Sequence, residues 1–330
     1  VLERKYGDCK DKAVLFITLM RKLGLDAHFA LVRTRELGPI EVDVPMQQFN
    51  HAVVYVPKQP GFPEGRFFDP TADALDLEVM RADDVGTKSL VFDPETGTNA
   101  WREIPFQGFE QNSERWRVDL KLDKEGGVRG AFQVSATGRS GSLLRRSARN
   151  LEQTAQLMQR QAQRLVPGAA SSELSLDQVK DLRAPAQLSA KVVSRTLARV
   201  EGGDLRLKVP SDFAARNAFS LSSRRHPLVL GVPTESVTVV SLELPEGYAV
   251  SRAPADAEVT AGCMAFSRKV QVSGNKVVTE LRGRFLCERI GPSEYVSYRS
   301  KAEEITRLLD EELVMSPVKA PKGAPKQAQR

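Results

Sequence analysis

The sequence predicts an α+β fold, and three patterns predict it. One amphipathic run opens the chain: Ala13, Phe16, Leu19, Met20 and Leu23 recur at spacings of three and four until Gly24 stops them. Short apolar or alternating segments follow at 27–32, 51–56 and 66–69, the signature of strands. Beyond Pro167-Gly168 the chain turns mainly β, with turns at Gly202-Gly203, Pro245-Glu246-Gly247 and Gly274-Asn275 between the runs.

Length and composition bound the rest. A chain of 330 residues accommodates one to three domains and a sizeable core. A content of 41% hydrophobic and 27% charged residues is that of an ordinary globular protein. The net charge of +6 is scattered, so it gives a weak lean towards acidic partners and no nucleic-acid footprint. No run reaches the roughly 18 apolar residues of a membrane span. No signal peptide is visible, which says little because the chain starts at Val1, almost inside its first motif, and so reads as a fragment or a processed product. No P-loop, dinucleotide fingerprint, metal-ligand cluster or repeat is present, so no cofactor and no metal are expected.

The first helix is predicted over Lys10 to Leu23. Cys9 follows a Gly7-Asp8 turn, which sets its thiol on the first helical turn. Free N–H groups and the positive end of the dipole point there and favour the thiolate, the reactive form. Taken alone, such a cysteine is more often an inert core residue. His28 lies in an apolar alternation and reads as a satisfied core histidine. Thr34 to Gln48 is a polar connection broken by Pro and Gly. His51 opens the strand that runs to Val56, Pro57 to Gly65 is a turn region, and Arg66 to Asp69 pairs back antiparallel. That hairpin carries Asp69 towards His51. The bland alternatives are a buried strand histidine and an Asx turn before Pro70. Asp73 to Gln107 reads as loop, with Trp101 and Phe106 closing the first domain.

Val118, Leu120 and Leu122, the turn Gly126-Gly127, then Phe132, Val134 and Ala136 predict a hairpin. One long helix is predicted from Leu144 to Leu165, packed on a sheet, with an Arg- and Gln-rich solvated face. Strands are predicted at 188–200, 205–209, 236–244, 263–273 and 276–290, then a helix over Lys301 to Leu313. His226 reads as structural. Ser316 to Arg330 is rich in Pro, Ala and Lys and reads as disordered. The expected division is 1–107, 108–185, 186–313 and a tail at 314–330.

Cys263 and Cys287 fall on two arms of one hairpin. A three-residue loop at Gly274-Asn275-Lys276 sets them directly opposite, within reach of a bridge. A two-residue loop shifts them to opposite faces. A bridge would leave Cys9 as the free thiol and suit a periplasmic or extracellular protein. Two reduced core cysteines are the alternative.

Gly7-Asp8-Cys9 with Lys12-Ala13, Leu23-Gly24-Leu25-Asp26-Ala27, Phe49-Asn50-His51-Ala52-Val53 and Phe68-Asp69-Pro70-Thr71-Ala72 resemble, in this order, the motifs of the bacterial transglutaminase-like superfamily. The resemblance covers about the first third of the chain. It implies a papain-like, transglutaminase-like α+β core with a catalytic triad of Cys9, His51 and Asp69. It implies acyl transfer or hydrolysis at peptide or amide bonds of a protein or peptide substrate. The Cys9 N–H would serve the oxyanion hole, with a second donor upstream of the nucleophile. Members include crosslinkers, peptidases and amidases, and some have lost activity. A binding or scaffolding protein with a relic core is therefore the alternative. His226-Pro227, Leu244-Pro245-Glu246-Gly247-Tyr248 and Ile290-Gly291-Pro292-Ser293-Glu294-Tyr295 resemble a β-domain of unknown function that accompanies such cores in bacteria. They imply a β-rich, sandwich-like accessory region.

Overall fold

A computed structural model describes residues 1–44, 46–213 and 218–318. It is a mixed α+β protein with several sheets, mostly β. Helix α1 (Cys9–Lys22) begins one residue before the predicted start. Strands β1 (His28–Val32), β2 (His51–Val56) and β3 (Arg66–Phe68) follow as expected. Gly65 ends the turn before β3 at φ +70, and a Cβ there would meet Tyr55 Oη at 2.5 Å, so both backbone and space call for glycine.

The segment read as loop holds two more strands, β4 (Lys88–Phe92) and β5 (Asn99–Glu103). They complete a sheet of order β3-β2-β1-β4-β5, antiparallel throughout. Their signal is faint because β5, Asn-Ala-Trp-Arg-Glu, is exposed along its length. Trp101 is part of it and stacks on Phe49 rather than closing a core; Phe106 does pack against one.

Strands β6 (Ser113–Leu122) and β7 (Val128–Ala136) form the predicted hairpin. Trp116, Val118, Leu120 and Leu122 are buried while Arg115, Arg117 and Lys121 face water, the alternation of a sheet with one solvated face. The single long helix is instead two, α2 (Gly138–Ser147) and α3 (Leu151–Leu165). Asn150 interrupts the expected helix as the N-cap of α3: its side chain accepts from Gln153 N at 3.1 Å.

Strands β8 (Ala170–Asp177), β9 (Ala186–Ser194), β10 (Arg199–Glu201), β11 (Asp204–Lys208), β12 (Leu228–Val229), β13 (Thr234–Glu243), β14 (Tyr248–Arg252), β15 (Ala257–Ala261), β16 (Met264–Ser273), β17 (Lys276–Phe285) and β18 (Arg289–Ile290) come next. Helix α4 (Pro292–Leu309) and strand β19 (Glu312–Pro317) close the described chain. The large sheet runs β15-β16-β17-β13-β6-β7-β9-β8, with β6 parallel to β13. Residues 108–185 and 186–313 thus share one sheet, and the expected division between them runs through it. A second sheet, β10-β11-β19-β14, packs Leu205, Leu207, Leu313 and Met315 into the same core as Leu120, Leu188, Val240 and Val277. Residues 314–317, expected in a disordered tail, are therefore strand. Residues 319–330 of that tail lie outside the described residues.

Cys263 and Cys287 are disulfide-bonded, with Cα atoms 5.6 Å apart. The route differs from both expectations. The loop is the two-residue one, since Ser273 pairs with Lys276, yet the bridge forms. The ladder ends at Met264 and Phe285, and both cysteines lie beyond it, where the pleat no longer dictates which way a side chain points. Alkylation without reductant is expected to label Cys9 alone, read by intact mass. Replacing both Cys263 and Cys287 by Ser is expected to lower stability by about 2–4 kcal/mol in denaturant titrations.

Candidate active site

The site is built on β2, β3 and the turns after β3. Val54, Val56 and Phe68 pack against Ala13 and Ile17 of α1, while Val53, Tyr55 and Phe67 face a second core with Met80, Val85 and Ile104. With both faces covered, all six residues of β2 are buried, His51 among them. The ring of His51 meets Asp69, which follows β3: His51 Nε2 lies 3.1 Å from Asp69 Oδ2. With its proton on Nε2 the ring donates to that carboxylate and keeps a lone pair on Nδ1, ready to accept a proton.

Asp69 is itself held. Thr71 N and Thr71 Oγ1 both donate to Asp69 Oδ1 at 2.7 Å. Arg81 Nε stands 3.7 Å from Asp69 Oδ2, and Arg81 Nη1 donates to Thr71 Oγ1 at 3.3 Å. Burial alone would raise the Asp69 carboxyl, but the hydrogen bond and charge of His51, with the Thr71 bonds, hold it below the usual carboxylate range.

Sequence reasoning missed a third acid. Asp84 is fully buried, and its Oδ1 lies 4.0 Å from His51 Nε2. Burial first, then the charges of Asp69 and Asp83, push its carboxyl up to about 9. Neither carboxylate oxygen has a hydrogen-bond partner among the described residues. The sequence around it, Arg81-Ala82-Asp83-Asp84-Val85, reads as a polar turn and carries no signal of burial.

Cys9 is the first residue of α1 and half-buried. Asp8 caps the helix: its Oδ1 accepts from Lys10 N at 2.9 Å and Asp11 N at 3.1 Å, and Asp11 Oδ2 accepts from Asp8 N at 3.1 Å. The Cys9 N–H donates to no acceptor among the described residues, so it stays available. No hydrogen bond joins Cys9 Sγ to His51 among them either. By strand alternation His51 shares its face with Val53 and Tyr55, the face turned from α1. His28 is buried edge-on to Tyr55, apart from this cluster, as expected of a core histidine.

Residues 206–315 match the DUF3858 family model, a "Domain of Unknown Function with solved-structure structure". The DUF3858 region begins within β11, ends within β19 and holds the Cys263–Cys287 bridge. It contributes Val232 to the core beneath His51. Across 96% of the chain, the structure is similar to the crystal structure of a "putative protease" from Parabacteroides distasonis, at 13% identity and a TM-score of 0.49. The chain spans 45% of the length of that protein. No curated protein matches it. Among the described residues, no helix is long and apolar enough to cross a membrane.

Thr71→Val removes the hydroxyl donor to Asp69 and the acceptor for Arg81. A charge-assisted bond of this kind contributes about 1.5–3 kcal/mol, and that loss of stability is expected in denaturant titrations.

Proposed function

We propose that this chain is a transglutaminase-like cysteine enzyme that transfers or hydrolyses acyl groups at peptide or amide bonds of a protein or peptide substrate. The observation that carries the reading is the buried His51–Asp69 pair, 3.1 Å apart on neighbouring elements of the sheet against which the Cys9 helix packs. In this reading residues 1–107 are the catalytic unit and the β-rich remainder is accessory. Cys9 Sγ attacks the carbonyl carbon as His51 Nδ1 takes the thiol proton. Asp69 keeps the Nε2 proton in place and stabilises the imidazolium. The Cys9 N–H donates to the carbonyl oxygen as it gains charge. His51 then gives its proton to the leaving amine, and a thioester remains for water or a second amine. The Cys263–Cys287 bridge supports a periplasmic or extracellular setting, where disulfides persist.

Two observations favour the second reading, a binding or scaffolding protein with a relic core: among the described residues Cys9 and His51 share no hydrogen bond, and by strand alternation His51 faces away from α1, the helix that Cys9 begins. Catalytic contacts in substrate-free enzymes are often long and tighten on binding, so chemistry decides between the two. Iodoacetamide at neutral pH is expected to alkylate Cys9 at least tenfold faster in the wild type than in His51→Ala. Incubation with an amide-substrate library is expected to give a hydroxylamine-labile adduct on Cys9 by intact mass. Equal alkylation rates together with no adduct would establish the binding-protein reading.

A further inference from the structure

The triad reading uses His51 and Asp69 and leaves Asp84 without a role. Asp84 is a carboxyl with 0% exposure, two oxygens without a hydrogen-bond partner among the described residues and a position facing the same ring nitrogen as Asp69. A buried acid in that state is relieved by a proton or by a cation. Geometry favours a cation. One ligand atom from each of His51, Asp69 and Asp84 lies within 4.8 Å of the other two, and all three residues are buried. The imidazole nitrogen stands 3.1 Å from one carboxylate oxygen and 4.0 Å from the other. Ligands about 2.1 Å from a tetrahedral zinc ion are separated by about 3.4 Å along each edge, so the two edges at the imidazole need to change by only about half an ångström.

We propose that His51 Nε2, Asp69 Oδ2 and Asp84 Oδ1 form a binding site for a single divalent transition cation of the zinc class. An imidazole with two carboxylates suits such ions, whereas calcium wants six or more oxygens. The local charge agrees. Asp69, Asp83 and Asp84 supply three negative charges when ionised, against Arg81, bonded to Asp83, and Arg35, which also faces Glu288, so a negative excess remains that a cation offsets.

The consequence for Cys9 rests on the enzyme reading above. A cation on Nε2 takes the lone pair there, so the ring proton moves to Nδ1. Nδ1 then carries a hydrogen and cannot accept the thiol proton. The bound ion would hold the thiol at rest, and its removal would release the base. Metal and catalytic proton compete for one imidazole.

The test uses the full chain stripped with chelator. Cobalt(II) is titrated into Cys9→Ser, which removes the thiol as a competing ligand, and followed by visible absorption and calorimetry. One ion per chain with visible bands is expected, with affinity at least tenfold weaker in Asp84→Asn and in His51→Gln. Circular dichroism of each variant shows whether it is folded, and either folded variant suffices. No binding, or equal affinity in a folded variant, overturns the site. Zinc is then added to wild type during iodoacetamide alkylation, and at least a tenfold slowing is expected. Full alkylation at saturating zinc overturns the switch. If His51→Ala alkylates as fast as wild type without metal, the enzyme reading fails, and the switch with it, while the cobalt titration still decides the site.

Discussion

Strand β2 is covered on both faces, and the candidate site depends on that constraint. Its even-numbered residues lean on α1 and its odd-numbered residues on a core built from the turns after β3. A strand sandwiched in this way cannot slip by one residue without moving every side chain to the other core. It therefore carries His51 into the interior at a defined position. A histidine buried there needs polar partners, because an unpaired polar group in a dry interior costs far more than one in water. Asp69 meets the need directly, and Thr71 and Arg81 keep Asp69 in place.

The β-rich part is fastened to this site by guanidinium groups. Arg35 Nη1 donates to Gly231 O at 2.8 Å in the DUF3858 region while Arg35 Nη2 donates to Ala82 O, two residues from Asp84. On the other side, Arg145 of α2 is buried and donates to Ala74 O, Asp181 O and Ala184 O. Arg149 forms a forked pair with Asp73 at 2.7 and 3.0 Å. The stretch from Asp73 to Asp84 is thus bonded at both ends to the rest of the molecule. A loop with few bonds of its own is ordered by long-range partners, and the acids it carries inherit that order.

The site is a set of close charges in a poorly solvated place. Asp69 is drawn down by the hydrogen bonds it accepts, and Asp84, which accepts none, is driven up. Two carboxyls near one imidazole nitrogen are thereby pushed apart in behaviour by their partners alone. The arrangement leaves His51 Nε2 able to hold a proton or a cation, and the proposed acyl transfer and the proposed metal site share His51 and Asp69.

Much of this was legible in the sequence, wherever a local rule sufficed. The spacing of Ala13, Phe16 and Met20 with Gly24 marks α1, and Gly7-Asp8 places Cys9 at its first turn, because capping is a matter of the nearest few residues. A short turn between His51 and Asp69 brings those two together for the same reason. What the sequence could not supply is long-range. Strand β4 is placed by its pairing with β1, far back along the chain, and β5, exposed along its length, is added only onto β4. The Cys263–Cys287 bridge depends on where the ladder ends rather than on the loop length that suggested it. Strand β19, in a stretch expected to be tail, exists because β11 and β14 flank it. Asp84 is an acid in an unremarkable turn until two cores and Arg35 close around it. Burial, and with it the chemistry of a charged side chain, is a property of the packed structure, and only the tertiary fold decides it.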